Sequence, residues 1–323
     1  MSATDSGVAF VAVATESHAS IARLMLASIR SARDIRKRLY VVGRARTSVF
    51  DNASEIEEID VEAFMPSDEL QSLVSRYTPA EVCFALKPYV LRHVLADANV
   101  ETAHYVDGDL RFYASVDVLN REFGTGDILL TPHYLLPFPD DGRKPGVLTL
   151  LRGGVFNAGY VGVRRSRTGL AFLDWWAGRV SLYGRNEPRL GMAGDQRWLD
   201  LVPALFPSCR ILRHVGANVG YWNLHERPLT VDEAGHIRAG TDELIFFHFS
   251  GFNLKFAGQL SKYQTRIEVA SGSVLEKLLN DYARELETLS LYTKAGAAYA
   301  YKRWWHRDSW GIPTLRRHLR KHW

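Results

Sequence analysis

A chain of 323 residues, 46% hydrophobic and 24% charged, is long enough to bury a substantial core, and its composition excludes wholesale disorder. Its net charge of +4 is uneven: residues 301–323 hold seven Lys/Arg against one Asp, so they carry +6 and the other 300 residues carry −2, which argues against a nucleic-acid-binding protein. Cys83 and Cys209 are the only cysteines, which excludes a thiolate metal cluster and favours a reducing compartment.

Residues 1–7 are polar and acidic, so no secretory signal is expected, and no run approaches the roughly 20 apolar residues of a membrane span. A cytoplasmic protein is expected, attached to a membrane only peripherally, from the inner face. Residues 8–14 form a continuous small-apolar run, the pattern of a strand buried on both faces of a parallel sheet. Ile21, Leu24, Met25 and Ile29 follow at helical spacing behind Ser17 or Ser20 as a cap, and residues 39–43 read as the next strand. That βαβ unit lacks a glycine-rich phosphate loop, which disfavours a dehydrogenase or a P-loop enzyme.

Residues 56–61 read as a third strand. Thr78-Pro79-Ala80-Glu81 then has the form of a capping box with proline at the first helical position. The helix it opens meets Pro88, where a kink or restart is expected. A restart would leave free N–H groups beside the Lys87 ammonium, suited to an anion; the alternative is a surface lysine before a helix break. Residues 102–112 read as a strand entering Asp107-Gly108-Asp109. If the strand continues, both carboxylates share one face, and a hard divalent cation such as Mn²⁺ or Mg²⁺ would relieve their repulsion. Asp-Gly between apolar flanks is equally a hairpin signal, and both readings stay open.

Residues 127–130 make another short strand, and the Pro-, Asp- and Gly-rich residues 133–145 read as a long mobile loop. In the strand over 156–163, Ala158 and Gly159 would let a ligand approach the backbone beside Asn157, unless the segment is a bulge with a structural asparagine. Residues 167–183 predict a helix whose aromatics pack in the core. Asp195 and Gln196 open a further helix, as caps or as functional groups. Asn218, Tyr221, Trp222, Asn223 and His225 form a polar–aromatic cluster of the kind that holds a hydroxyl-rich ligand. The apolar strand over 244–251 carries a single histidine, His248, either a core residue or a ligand.

The order of these segments is more informative than any one of them. An apolar first strand, a lysine-bearing helix, Asp-x-Asp after a strand, Asn-Ala-Gly, Asp-Gln and His-x-x-Gly resemble the GT-A nucleotide-sugar glycosyltransferases, most closely family 8, over residues 8–265. Residues 218–227 and 248–252 are also similar to those of bacterial glycosyltransferases that build surface polysaccharides. The resemblance implies an α/β fold with a GT-A (Rossmann-like) mixed sheet flanked by helices, a catalytic domain over 1–270 and a helical, basic extension over 271–323. It further implies a metal bound by Asp107, Asp109 and His248. Ala14, Thr15 and Lys87 would lie at the nucleotide, with Val106 and Gly108 in the Asp-x-Asp segment. Asn157, Ala158 and Gly159 would cradle the donor sugar, and Asp195 and Gln196 would reach its hydroxyls and anomeric face. Lys255, which would neutralise the diphosphate, stands four residues after Gly251 and precedes Phe256, where family 8 has its lysine at three, followed by Pro-Trp.

The implied activity is transfer of a sugar from a nucleotide-diphosphate sugar, a UDP-sugar being favoured, to a glycan or lipid-linked acceptor, with retention of configuration, in polysaccharide or lipopolysaccharide synthesis. A divalent ion stabilises charge on the leaving diphosphate, and the anomeric carbon develops oxocarbenium character. The alternative from another class is a catalytically silent nucleotide-sugar or glycan-binding module; a nucleotidyltransferase lacks its glycine-rich loop. Four of the eight tryptophans lie among the basic residues of 301–323, which suits peripheral contact with an anionic membrane or, alternatively, a helix docked on the domain.

Overall fold

The computed structural model describes residues 7–43 and 55–292. The tail over 301–323, and with it the expected membrane contact there, lies outside the described residues. In chain order the strands are β1 (Val8–Thr15), β2 (Arg36–Val42), β3 (Ile56–Asp60), β4 (Thr102–Val106), β5 (Leu110–Phe112), β6 (Ile128–Pro132) and β7 (Phe156–Arg164). They continue with β8 (Asn186–Glu187), β9 (Met192–Ala193), β10 (Cys209–Ile211), β11 (Leu229–Val231), β12 (Ile237–Ala239), β13 (Asp242–Glu243) and β14 (Phe246–His248). The helices are α1 (Ala19–Ala27), α2 (Ser67–Arg76), α3 (Pro79–Val94), α4 (Asp117–Glu122), α5 (Val147–Gly153), α6 (Arg167–Tyr183), α7 (Val202–Leu205) and α8 (Val274–Tyr292).

A seven-stranded sheet in the order β10-β6-β7-β4-β1-β2-β3 organises the molecule. The β1–β2, β1–β4, β2–β3 and β6–β10 ladders are parallel, and β7 runs antiparallel to both β4 and β6. The mixed α/β sheet flanked by helices expected from the sequence is therefore present. Strand β1 shows why it forms. Ala9, Val11 and Val13 point to the face covered by α2, α3 and α6, while Phe10, Ala12 and Ala14 point to the face covered by α1 and α4. All eight residues are buried, as expected of a strand with helices on both faces. The edge strand β3 carries Glu57, Glu58 and Asp60, charges that discourage further pairing.

Thr78 caps α3 as expected: its hydroxyl accepts from the Glu81 N–H, and the Glu81 side chain answers the Thr78 N–H. The helix does not restart at Pro88: α3 runs through it as one element of 16 residues. Proline inside a helix costs about 3 kcal/mol, whereas burying one large aliphatic side chain returns roughly 1.5–3 kcal/mol. Val82, Leu86, Val90, Leu91 and Val94 are all fully buried, so packing outweighs the lost hydrogen bond. The expected serine cap on α1 is also absent; residues 16–18 form a short 3₁₀ turn instead, in which Thr15, Ser17 and His18 bond to one another.

A third cluster packs β14 against α8 and the β11–β13 sheet, joining Phe247 and Phe249 to Leu275, Leu278, Leu279 and Tyr282. Helix α8 begins inside the span expected to be an extension, yet it shares this core. Among the described residues no helix is long and apolar enough to cross a membrane.

Candidate functional site

Strand β4 ends at Val106, buried in the sheet, and the chain then turns through Asp107, Gly108 and Asp109, with the Leu110 N–H donating to the Asp107 carbonyl at 3.3 Å. This is neither the continuing strand nor the hairpin that the sequence suggests. After the turn, β5 leaves the large sheet and pairs antiparallel with β14, placing Leu110 opposite His248. The two aspartates are therefore brought near each other by a turn, not by strand alternation. Gly108 faces α1, where an added Cβ would meet that of Ala22 at 3.4 Å, an ordinary contact.

The β5–β14 pairing sets His248 Nε2 3.0 Å from Asp109 Oδ1, and the Phe249 N–H donates to the Asp109 carbonyl at 2.9 Å. One ligand atom each from Asp107, Asp109 and His248 all lie within 4.8 Å of one another. His248 Nδ1 is 3.2 Å from Asn218 Oδ1. A carbonyl oxygen only accepts, so Nδ1 carries the hydrogen and the Nε2 lone pair faces the Asp109 carboxylate. That approach is repulsive unless a cation, either a proton or a metal ion, lies between them. Burial opposes a proton on His248, but the Asp109 carboxylate prevails and raises the imidazole pKa; burial likewise opposes the Asp109 charge, and His248 holds that carboxyl below its usual range. Two carboxylate oxygens and one imidazole nitrogen, with the second ring nitrogen fixed by an amide, suit Mn²⁺ or Mg²⁺.

Asn218 holds this imidazole from a backbone φ of 53°, the one non-glycine residue at positive φ among the described residues. Such a conformation costs on the order of 1–3 kcal/mol and persists where surrounding contacts enforce it. Asn223 supplies them, donating to the Asn218 and His133 carbonyls, while Trp222 packs edge-on against both His248 and His133. The polar–aromatic cluster over 218–223 thus braces the site from behind. His225, of the same cluster, instead stacks on Phe138.

Gly159 is small for His248. An added Cβ would sit 2.5 Å from His248 Cε1 and 2.7 Å from Asn157 Oδ1. The Asn157 amide is itself engaged, its oxygen accepting from the Gly159 N–H and its nitrogen meeting His133 Nε2. Overpacking of this kind typically costs 1–3 kcal/mol. Gly159→Ala is expected to lower stability by about that much and to swing the imidazole off Asp109. Thermal melting together with the histidine NMR titration checks this, and a wild-type His248 titration in the variant would refute it.

Lys87 is buried, 2% exposed, and not the surface lysine of the alternative reading. Its ammonium lies 3.1 Å from Asp107 Oδ1 and 2.9 Å from Asp195 Oδ2, donates to the Ala158 carbonyl at 3.0 Å, and sits over the Tyr105 ring at 4.7 Å. Burial pulls the ammonium pKa down, but the two carboxylates outweigh it and leave it raised. Burial lifts Asp195 to about 6 against the pull of Lys87. Asp195 caps no helix; it precedes a 3₁₀ turn and turns its carboxylate to Lys87. Gln196 is committed to the backbone: it accepts from the Ala158 N–H and donates to the Gly153 carbonyl, tying β7 to the end of α5.

A cavity of about 920 Å³ opens over the aspartates, lined by Ala14 and Thr15 at the end of β1 and by Asp107, Gly108 and Asp109. Its walls are aromatic, with Phe84 and Tyr105 on one side and Phe249, Tyr263 and Tyr282 among those on the other. Lys255 is exposed on a 3₁₀ turn and is not among the lining residues. Sequence reasoning missed Tyr105, whose hydroxyl donates to Asp107 Oδ1 at 2.8 Å; its place two residues before Asp107 was the available signal. It also missed Tyr282, for which only the amphipathic pattern of α8 was visible. The loop over 133–145 proves tethered: Glu226 accepts from the Leu135 and Leu136 N–H groups, and Arg266 pairs with Asp141.

No protein-family model matches the chain. Two uncharacterized Bacillus subtilis (strain 168) proteins, YfnF and YfnD, are each 28% identical to it, over 193 and 194 residues. The matches cover 59% of this chain in each case, and 63% and 60% of those proteins, so the chain spans less than two-thirds of the curated relatives it matches. Among solved structures, galactosyltransferase LgtC with donor and acceptor sugar analogs is 14% identical, with a TM-score of 0.47 over 85% of this chain and 95% of that one. The glycosyltransferase GlyE of Streptococcus pneumoniae TIGR4 is also 14% identical, with a TM-score of 0.46 over 88% of this chain and 63% of that one.

Proposed function

We propose that the protein is a GT-A glycosyltransferase that uses a divalent metal to transfer a sugar from a nucleotide-diphosphate sugar, a UDP-sugar being favoured, to a glycan or lipid-linked acceptor with retention of configuration. Polysaccharide or lipopolysaccharide synthesis is the process such a transfer would serve. One observation carries the reading: Asp107 and Asp109, from the β4–β5 turn, meet His248, from β14, beside an aromatic-walled cavity. Two of the three, Asp107 and Asp109, line that cavity themselves.

In this reading Asp107, Asp109 and His248 hold the ion, which, when bound, supplies Lewis-acid stabilisation of the departing diphosphate. Ala14 and Thr15 bound the nucleotide end of the cavity, and the aromatic walls exclude water from the reacting bond. Lys87 sits between two carboxylates and donates to a carbonyl, so it orients Asp107 and Asp195. Asp195 is ionised above about pH 6 and offers a carboxylate beside the Asn157–Gly159 segment. Gln196 keeps that segment in place through Ala158.

Thermal melting with a panel of nucleoside diphosphates, with and without Mn²⁺, tests the proposal together with turnover of the matching donor. A ligand at a hundredfold excess over Kd stabilises by about 2.7 kcal/mol, a rise of roughly 4 °C in Tm. We expect that rise only when nucleotide and metal are both present. A rise without turnover would assign the fold to a binding module, and no rise with any nucleotide would remove the proposal.

A further inference from the structure

Away from the cavity, α5 and the turn packed beside it leave an apolar face uncovered. Val147, Leu148 and Leu151 are 45%, 67% and 54% exposed, and Leu190, on the 188–190 turn that contacts α5, is 49% exposed. Helical positions i, i+1 and i+4 span about 100° of arc, so the three α5 side chains form one stripe. Leu150, 6% exposed, points away from that stripe and anchors the helix.

Cations flank the stripe. Lys144, Arg152 and Arg189 are exposed and make no ion pair among the described residues. Two nearby acids are engaged: Asp141 pairs with Arg266, and Glu187 lies 3.9 Å from Arg185. Apolar side chains edged by unpaired cations match an anionic lipid surface, where the chains enter the headgroup boundary and the cations meet phosphates.

The face is also joined to the candidate site through the chain. Helix α5 ends at Gly153, whose carbonyl holds Gln196, and the chain then enters β7 at Phe156 and Asn157. Leu151 and Asn157 are six residues apart, so their α-carbons lie within about 21 Å. We propose that this α5 face docks the protein on an anionic bilayer surface. The docking stands independently of the reaction catalysed and of residues 301–323.

Co-sedimentation of the full chain with phosphatidylglycerol/phosphatidylcholine vesicles, and with phosphatidylcholine vesicles alone, tests it. The full chain is expected to pellet with the anionic vesicles and much less with the neutral ones. Leu148→Glu/Leu151→Glu is expected to bind the anionic vesicles at least tenfold more weakly while its melting temperature and solution mass stay unchanged. Leu190→Glu, on a separate segment, repeats the test should the α5 variant fold poorly, with a weaker loss in the same direction. Undiminished binding by the substituted chains overturns the proposal. So does absence of lipid binding together with a wild-type dimer that the substitutions split, which would assign the face to a second copy.

Discussion

Replacing Lys87 by methionine is expected to destabilise the protein by about 3–5 kcal/mol, the cost of removing one partner from a buried ion pair. Methionine keeps much of the length and the apolar stem, so the loss falls on the charge. Without the ammonium, Asp195, 5% exposed, and Asp107, 25% exposed, face each other with no cation between them. The pH dependence follows from Asp195, whose carboxyl is raised in the fold to about 6 from an ordinary 3.8. A raised acid favours the fold while it is protonated, and that contribution disappears as pH climbs through about 6. Below pH 4 the variant therefore carries a neutral Asp195 and lies close to the wild type. Above pH 6 the wild type ionises Asp195 against Lys87, whereas the variant must keep the proton or strand the charge, so the gap between the two widens. Chemical denaturation at pH 5 and pH 8 measures that gap. Lys87→Met/Asp195→Asn should recover part of the loss at pH 8, since asparagine carries no charge to strand. A pH-independent gap, or no recovery in the double variant, would mean that the loss does not come from a stranded Asp195 charge.

The same lysine marks where sequence reasoning reaches its limit. Elements that depend on local pattern were legible: the small-apolar run of β1, the Thr78–Glu81 capping box and the span of α6, expected over 167–183 and found as Arg167–Tyr183. Each is fixed by periodicity or by a side chain bonding three residues along the chain. The path through Pro88 was not legible, because the outcome depends on how much apolar surface α3 buries against strands and helices remote in sequence. Lys87 follows from that path, since an unbroken helix carries it inward to Asp107 and Asp195. The Asp107–Asp109 turn was ambiguous for a related reason. Whether β5 folds back on β4 or leaves to pair with β14 is decided by a partner strand more than 130 residues away, at Phe246–His248. Cavity walls were the least visible of all. Tyr263 and Tyr282 reach the site only because α8 and the segment before it pack under β14. No motif announces that contact.

Asp109→Ala and His248→Ala are expected to reduce sugar transfer by roughly 10²–10³-fold, the usual effect of removing one electrostatic contributor from a preorganised site. Stability separates the two variants. Asp109 is 42% exposed, so its removal leaves the fold near wild-type stability in the absence of metal. His248 is 5% exposed and packs against Trp222 and Gly159, so its truncation opens a cavity and lowers the melting temperature in any buffer. Both variants should nevertheless share one property: Mn²⁺ and a nucleoside diphosphate together should no longer raise the melting temperature. That common loss is what a shared ion requires, because deleting either ligand removes the same bound species. Asp109→Ala makes a second, independent point. Without its carboxylate, only burial acts strongly on His248, so the imidazole should titrate below its ordinary range instead of above it. If Mn²⁺ still raised the melting temperature of Asp109→Ala by the wild-type increment, the aspartate–histidine contact would be a buried ion pair of the fold, and the metal would have to be sought elsewhere.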